Sequence, residues 1–479
     1  MTDPFDPIID RRDFFAGMAQ AFGAGTIGAG AAGLLGATML GGKEAHANWG
    51  LVAPGPVPGE DFDGRSLVNK ARAYEIMERE NIDGIVALNP VNVFYLGNYF
   101  SYELQKLRAI PSFAVMPRDP NKPSFLVVSS SDLWFIANAA REHPEIIPYG
   151  FPGGWENYRN PDLWSTEPES RNYMRMPENI EALTDIEKGW YEMEKRWESG
   201  KAATPEWGLV HALREAGLMN GKIAVDDMRI ADILNTLGQD TVTCVPGDNT
   251  FRKIRMIKSE VELGHMKRAA KANEEACKAM LSQIELGMTK NDFDNIFLVE
   301  AAKRGAKAMW IASGTIGGFR HGEVVEGQAM MVDAVSQINF YHGDFGRTWC
   351  VGEPPKELQE RIRLTSLARE VAHEAVRPGV KYSELQSTVT DAVKKASPSG
   401  WSMGVGPHSV GLQHTDQPYR DGLPFVVGDD LTFQENMTLT IDLPQVEIGW
   451  GATHLEDLIM VTKDGFEPLG TMDDPLIIL

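Results

Sequence analysis

Acidic and imidazole side chains recur at close spacing in the C-terminal half of the chain, and these residues could perform chemistry. Asp333 follows the apolar residues 330–332, and Asp344 lies eleven positions later, with turn-forming polar residues between them. If this segment forms a hairpin, its two arms can place both carboxylates on the same side of a sheet. Two carboxylates in that position need a cation. The alternative is structural, with Asp333 ending a strand and Asp344 capping an element or pairing with Arg347.

Two further segments could supply more ligands for a metal ion. His408 and His414 flank small residues in the glycine-rich segment 404–419, where the backbone can approach a ligand closely. Asp442 and Glu456 lie in two strongly apolar segments that are predicted to be strands. Buried carboxylates are costly unless they are paired or bound to a metal. Four acids and one histidine in this order favour a hard or borderline divalent cation over a soft one.

These separated motifs, taken in order, resemble the pita-bread metallohydrolases of peptidase family M24, a family that includes aminopeptidase P, prolidase, methionine aminopeptidase and the metal-free creatinase. The resemblance includes Thr-Ile-Asp-Leu-Pro at 440–444 and Leu-Glu-Asp-Leu-Ile at 455–459. Upstream, residues 89–96 are similar to the creatinase-type N-terminal domain, and residues 255–262 are similar to the opening of the catalytic domain. The resemblance covers nearly all of the chain that follows the first fifty residues.

The resemblance implies a ligand role for each of the acids. Asp333 would be a terminal ligand of one metal ion, and Asp344 and Glu456 would bridge two ions. His408 and Asp442 would be terminal ligands of the other ion. The implied cofactor is a divalent metal, as two ions of Mn, Fe, Co or Zn, with one ion or none as the alternatives. A homodimer is implied as well.

The resemblance also implies the residues that take part in catalysis. His321 matches the family's histidine ahead of the first aspartate, and His414 matches its second loop histidine. Either could shuttle protons or bind the substrate. Arg347 matches the Asp-x-x-Arg-Thr motif and is expected to orient ligands rather than to react. A metal-bridging water, acidified by two cations, would attack a carbonyl group.

Several positions depart from the pattern of the peptidases in this family. Asp442 stands where those enzymes use Glu, so its carboxylate is one methylene shorter. His408 and His414 are six positions apart, where seven is usual. His454 stands two residues before Glu456, where an arginine is common. Each departure affects the site and not the scaffold, and function depends on the site.

Three functions are therefore compared. The favoured one is a metal-dependent hydrolase of small peptides or amides, resembling Xaa-Pro aminopeptidase or dipeptidase. The second is an M24-fold enzyme acting on a small non-peptide substrate. It would be either a creatinase-like C–N hydrolase that uses His321 as base without metal, or a lyase like the dimethylsulfoniopropionate lyases of this scaffold. The third is a peptide-binding pseudoenzyme.

The elements that must position these residues are predicted from apolar periodicity. The fold class is α+β, with an α/β N-terminal domain and a pita-bread catalytic domain that has a curved, mainly antiparallel sheet and flanking helices. Asn89-Pro90 is interpreted as a turn, and residues 150–173 as a surface loop or insertion. Helices are predicted at 66–79, 207–216, 230–237, 261–285 and 290–305, and strands at 82–88, 112–116, 124–128 and 222–225.

Composition excludes several classes of partner. The chain has 479 residues and a formal net charge of -21, so its surface repels nucleic acid and anionic lipid headgroups. Three cysteines are too few and too scattered for a disulfide framework or a cysteine-type zinc cluster. We expect no nucleic acid partner and no membrane contact beyond an export signal. The resemblance implies a small molecule or a short peptide as substrate.

The first residues resemble a Tat signal peptide. Arg11-Arg12 precedes two aromatic residues, and an uncharged segment rich in Gly and Ala runs to Lys43. Ala45-His46-Ala47 has the small-x-small pattern of a cleavage site. The predicted location is the periplasm or outside the cell, and the alternative is an uncleaved membrane anchor. The predicted division is a signal peptide at 1–47, a creatinase-like domain at 48–250 and an M24-like catalytic domain at 251–479.

Overall fold

The structure is a computed structural model in which residues 53–479 form one compact unit. It describes residues 63–99, 111–137, 141–152, 165–171, 175–198, 200–315, 317–422, 428–472 and 474–479. The predicted signal peptide lies outside these residues, so that prediction is not tested. Within the described part of the chain, no helix is both long enough and apolar enough to cross a membrane.

The first half of the described chain is built on a mixed six-stranded sheet with the strand order β4-β3-β2-β1-β7-β8. The central strands β1 to β3 pair in antiparallel fashion, and the outer pairs are parallel. A separate short ribbon joins β5 to β6 within the predicted insertion. The strands are β1 Gly84–Ala87, β2 Phe113–Pro117, β3 Phe125–Ser129, β4 Glu145–Tyr149, β5 Phe151–Pro152, β6 Ser170–Arg171, β7 Lys222–Val225 and β8 Thr243–Pro246.

Helices connect and cover this sheet, and their starts follow ordinary capping rules. The predicted turn at Asn89-Pro90 is wrong, because it is the start of a helix. The Asn89 side chain accepts a hydrogen bond from the backbone N–H of Val91, and Pro90 occupies the first position, where no N–H is needed. The helices are α1 Lys70–Arg79, α2 Pro90–Gly97, α3 Leu133–Ala137, α4 Asp185–Arg196, α5 Pro205–Glu215 and α6 Arg229–Thr236, with a 3-10 turn at Ser130–Asp132.

The second half begins with a helix pair that supports the catalytic sheet. Ser259 and Glu262 form a reciprocal capping box at the start of the long helix that packs on the sheet. The predicted helices at 261–285 and 290–305 are confirmed, with the first ending four residues early. The helices are α7 Asp248–Arg255, α8 Glu260–Leu281, α9 Lys290–Lys303, α10 Lys356–Ala375 and α11 Tyr382–Ala396.

The catalytic sheet has eight strands in the described residues, with the central order β12-β13-β16-β11-β10-β9. Strand β17 pairs with β16, and β18 lies parallel to β11 in a sheet that is otherwise antiparallel. The α+β fold class is therefore confirmed. A separate two-stranded ribbon pairs β14 Gln445–Glu447 with β15 Gly451–Thr453. The eight strands of the sheet are β9 Lys307–Gly314, β10 Met330–Ile338, β11 Tyr341–Cys350, β12 His408–Ser409, β13 Thr438–Asp442, β16 Glu456–Val461, β17 Phe466–Pro468 and β18 Leu476–Ile478.

The hairpin predicted around the first two aspartates is confirmed. Strands β10 and β11 pair from Met330 opposite Trp349 to Ile338 opposite Tyr341. The connection has only the two residues 339 and 340, which both adopt positive φ, as a type I′ turn requires. A turn this short fixes the register of the hairpin, and a slip of one residue would move every side chain to the other face.

Candidate metal centre

The register of the catalytic sheet places a row of functional side chains on one face. Asp333 lies opposite Gly346, Gly346 lies opposite Glu456, and Glu456 lies opposite Asp442. Residues directly opposed on antiparallel strands point to the same face of a sheet. Three carboxylates and one glycine therefore form a continuous row across strands β10, β11, β16 and β13.

The remaining two predicted ligands join this row from neighbouring positions. Asp344 lies two residues before the glycine of the row, on the same face of β11. His408 lies opposite Thr440, two residues before the last aspartate of the row. Its Nε2 is 3.8 Å from Asp344 Oδ2 and 3.6 Å from Glu456 Oε1. All five predicted ligands are thus brought together, although their coordination of metal remains a prediction.

Three overlapping groups of side chains in the described part of the chain could each hold a metal ion. Within each group, one potential ligand atom per residue lies within 4.8 Å of the others. Because the groups share residues, they could accommodate neighbouring ions. Two histidines beyond the predicted ligand set take part in them. The groups are Asp344, His408 and His414; Asp333, His454 and Glu456; and His408, Asp442 and Glu456.

The carboxylates of the site are buried near one another, which disfavours their charged forms. Burial raises the pKa of Asp333 to about 7, and the charges of Asp344 and Asp442 add to the shift. Burial and the Asp344 charge raise the pKa of Glu456 well above its ordinary value. Burial also acts on Asp344, but a hydrogen bond from His414 and the charge of His408 outweigh it and lower its pKa.

This donor set fits divalent cations. The buried atoms Asp333 Oδ1 and Asp344 Oδ1 have no hydrogen-bond partner among the described residues. Buried polar atoms are normally satisfied, so unsatisfied carboxylate oxygens within one cluster of potential ligands suggest an ion. Carboxylate oxygens and imidazole nitrogens are ligands shared by Zn, Mn, Fe and Co. A dication would offset the burial and the mutual repulsion that raise the pKa values of Asp333 and Glu456.

His414 lies at the exposed side of the site. Its Nε2 is 3.1 Å from Asp344 Oδ2, and 42% of its side chain is exposed. The hydrogen bond to Asp344 raises the pKa of His414, and burial only partly opposes this shift. The ring therefore contacts a predicted metal ligand on one side and solvent on the other, as a proton carrier would need to do.

His321 and Arg347, the other two residues predicted for catalysis, lie outside the cluster. His321 is exposed in a turn that precedes β10, and it belongs to none of the three groups. Arg347 is fully buried on the opposite face of the sheet. It donates to Asp457 Oδ1 at 2.8 Å and to the Glu456 carbonyl at 2.9 Å, so it holds β11 against β16. This geometry suits the orienting function expected of Arg347.

One residue of the cluster had no assigned role in the sequence pattern, namely His454. Its ring occupies the space above Gly346, where an added Cβ would lie 2.4 Å from ring atom Cε1. Its Nε2 is 2.8 Å from Asp442 Oδ1 and 3.6 Å from Glu456 Oε2. The His-x-Glu spacing could have indicated that His454 lies in the site, because two residues that are two positions apart can share one side of an extended chain.

The C-terminal part of the chain, residues 264–463, matches metallopeptidase family M24. This segment is similar to the proteins of that family. It contains all five predicted ligands together with His454. The predicted family resemblance is therefore confirmed for the catalytic part of the chain.

Relatives of this chain include enzymes with peptidase names. A protein of Mycobacterium tuberculosis named probable dipeptidase PepE is 26% identical over 283 residues, which are 57% of this chain and 74% of the relative. A protein of Pyrococcus furiosus named Xaa-Pro dipeptidase is 24% identical over 240 residues, which are 48% of this chain and 67% of the relative.

Solved structures extend the similarity of fold beyond residues 264–463. A dipeptidase from Pyrococcus horikoshii aligns with a TM-score of 0.59 at 17% identity, covering 86% of this chain and 99% of that one. A prolidase from Pyrococcus furiosus aligns with a TM-score of 0.56 at 17% identity, and the alignment covers 84% of this chain and 99% of the prolidase. The predicted pita-bread architecture is therefore confirmed.

Proposed function

We propose that this chain is a metal-dependent hydrolase of dipeptides and other short peptides. The observation that supports this most strongly is the convergence of four acids and His408 on one face of the catalytic sheet. The match to M24 and the dipeptidase names of the relatives support the substrate class.

The residues divide into those that hold metal and those that handle protons. Asp333, Asp344, His408, Asp442 and Glu456 would hold one or two divalent cations. Bound cations would supply an acidified water and a polarised peptide carbonyl. His414 Nε2 accepts a proton at the edge of the site and delivers it to the leaving amine, which keeps the proton count balanced. The buried face around the carboxylates excludes bulk water and strengthens these interactions.

Metal content and hydrolysis of a dipeptide panel test this function together. We expect up to two equivalents of Mn, Fe, Co or Zn by plasma mass spectrometry, and dipeptide hydrolysis that a chelator abolishes. Asp344→Asn should lower kcat/KM by at least about 10³-fold and reduce metal content, because it removes a charged potential ligand. The matched control is Asp294→Asn, which removes a surface partner of Lys290. Full dipeptide hydrolysis by metal-free protein would refute the proposal.

A second candidate function is an enzyme of small non-peptide substrates on the same scaffold. The observation that favours it is the contact between Asp442 and His454, two positions at which the sequence departs from the peptidases. Guanidino compounds, such as creatine, and sulfonium or quaternary ammonium betaines belong in the substrate panel. Turnover of one of these, with no turnover of peptides, would replace the dipeptidase proposal.

We also propose export through the Tat pathway and assembly as a homodimer. Arg11-Arg12 and Ala45-His46-Ala47 support export, and the family resemblance supports the dimer. Fractionation of cells and N-terminal sequencing test export, and Asn48 is the expected first residue of the exported protein. The double variant Arg11→Lys, Arg12→Lys should not be exported. An uncleaved protein in the membrane fraction would favour an anchor. Light scattering of the mature protein tests the dimer.

A further inference from the structure

We propose that His454 is itself a ligand of the metal centre and binds, through Nε2, the ion held by Asp333 and Glu456. The proposal rests on the metal-dependent function proposed above and adds an imidazole to its ligand set. It concerns a residue that the sequence pattern presented only as a departure. Ligand atoms of the three residues lie within 4.8 Å of one another, so one ion could bind all of them.

The hydrogen bonds of the ring support coordination. His454 Nδ1 lies 3.3 Å from the Val332 carbonyl, and Nε2 faces the carboxylates of Asp442 and Glu456. A metal-binding histidine typically donates its other ring N–H to a carbonyl or carboxylate, which fixes the tautomer. Both ring nitrogens face oxygen acceptors, but a neutral ring has one N–H. Nε2 therefore needs a second proton, a hydrogen bond from a protonated carboxyl group, or a metal ion.

The Asp442 carboxylate lies directly beside this candidate site. Nε2 of His454 and Oδ1 of Asp442 are 2.8 Å apart, and Asp442 belongs to the neighbouring group with His408 and Glu456. Because Glu456 belongs to both groups, Nε2 and Oδ1 could each bind one of two neighbouring ions. The competing explanation is an imidazolium that is ion-paired with Asp442.

The backbone and its neighbours hold His454 rigidly at the site. The Thr348 hydroxyl donates to the His454 carbonyl at 3.0 Å and accepts from the His454 N–H at 2.8 Å. The ring fills the one position in the row that has no side chain, above Gly346. The residue is 1% exposed. A residue that binds a metal ion directly needs a side chain that its neighbours already hold in the binding orientation, and this buried imidazole meets that requirement.

Proton NMR of the Co²⁺-loaded protein tests the proposal by counting coordinated histidines. Each imidazole bound to Co²⁺ gives a strongly shifted ring N–H signal that disappears in D₂O. We expect two such signals from the full protein, from His408 and His454. His454→Gln should remove one signal, whereas His414→Gln should leave both. The control His143→Gln removes a histidine whose Nδ1 also contacts a backbone carbonyl, at 3.0 Å, but which lies in the N-terminal half.

Metal affinity provides a second measurement. Chelator competition with Co²⁺ should show that His454→Gln weakens the binding of one ion by at least about 10- to 100-fold, the range known for residues that merely support a ligand. His454→Arg keeps a positive charge beside Asp442 but cannot coordinate. If His454→Arg binds both ions as tightly as the unmodified protein, the residue is a charge partner and the proposal is overturned.

The outcomes separate this proposal from the proposed function. A single shifted signal in the unmodified protein overturns coordination by His454 without requiring any variant to fold. If that protein still takes up metal and hydrolyses dipeptides, the proposed function stands. If the unmodified protein takes up no Co²⁺ and hydrolyses no peptide with any of the other metals, both proposals fail together.

Discussion

Replacing Gly346 by alanine tests the packing on which the site depends. Gly346 is the only member of its row without a side chain, and the His454 ring occupies the space. An added Cβ would lie 2.4 Å from Cε1, 2.5 Å from Nδ1 and 2.8 Å from Nε2 of the ring. Carbon atoms in contact are normally about 3.5–4.0 Å apart, so the ring would have to move by about 1 Å.

The expected magnitude follows from what that movement breaks. The Thr348 hydroxyl holds the backbone of His454, so the ring must turn away from the Val332 carbonyl. Overpacking typically costs about 1–3 kcal/mol, and a lost hydrogen bond costs about 1 kcal/mol. Gly346 does not adopt positive φ, so alanine itself should favour the strand by about 0.5–1 kcal/mol. We expect a net loss of about 1–3 kcal/mol.

Urea unfolding of chelated protein measures this loss without the contribution of metal binding. A double-mutant cycle with His454→Ala isolates the clash. With the ring removed, Gly346→Ala should become neutral or stabilising by up to about 1 kcal/mol, which gives a coupling energy of about 1–4 kcal/mol. The control Gly404→Ala places a Cβ no closer than 4.0 Å to Thr390 and should change stability by less than about 0.5 kcal/mol. An equal loss with and without the ring would refute the reasoning.

Three further variants test other parts of the structure. Burial lowers the folded pKa of His373 to about 4 from 6.5, so below pH 6.5 the unfolded chain binds the extra proton and stability falls until about pH 4. Because His373→Gln removes the titrating ring, the variant should lose up to about 3 kcal/mol less stability than the unmodified protein between these two pH values. Urea unfolding at each pH measures this difference, and equal pH profiles of the two proteins would contradict the prediction. Asp416→Asn should cost about 3–5 kcal/mol in the same assay, because buried Arg255 and Lys258 lose their partner; a loss below about 1 kcal/mol would contradict this. Asp442→Glu should weaken metal binding in chelator competition, because the longer side chain crowds His454 Nε2, now 2.8 Å away; tighter binding would show that the shorter carboxylate is a defect.

Local sequence patterns predicted much of the fold because the spacing of apolar residues and the residues that form turns depend on contacts between neighbours in the sequence. The spacing of the apolar residues located helices α8 and α9 to within a few residues. The polar turn between Asp333 and Asp344 indicated a possible hairpin with both carboxylates on one side of a sheet, and the structure contains this hairpin. The error at Asn89-Pro90 has a physical reason, since Asn and Pro favour both turns and the first residues of helices, and only the packing that follows decides between them.

The site was only partly predictable, because its contacts join residues far apart in sequence. The five predicted ligands could be named from the residue types and the family resemblance, but their order in a single row depends on the pairing of β11 with β16, which is non-local. His454 shows the limit most clearly. Its importance depends on Gly346, 108 positions earlier, and no local pattern connects a strand glycine with a histidine in another segment.

The two departures at Asp442 and His454 can be understood as one structural change. Asp442 lies opposite Glu456 in the row, and its Oδ1 stops 2.8 Å from His454 Nε2. A glutamate would extend one methylene further into the volume that the imidazole now occupies. The shorter side chain at this position therefore does not by itself leave a metal ion with too few ligands. The space that a glutamate would fill contains an imidazole nitrogen that faces the carboxylates of the site. If His454 binds metal as proposed, the site keeps its carboxylates and gains one nitrogen donor, which favours borderline cations such as Zn²⁺ or Co²⁺ over harder ones such as Mn²⁺.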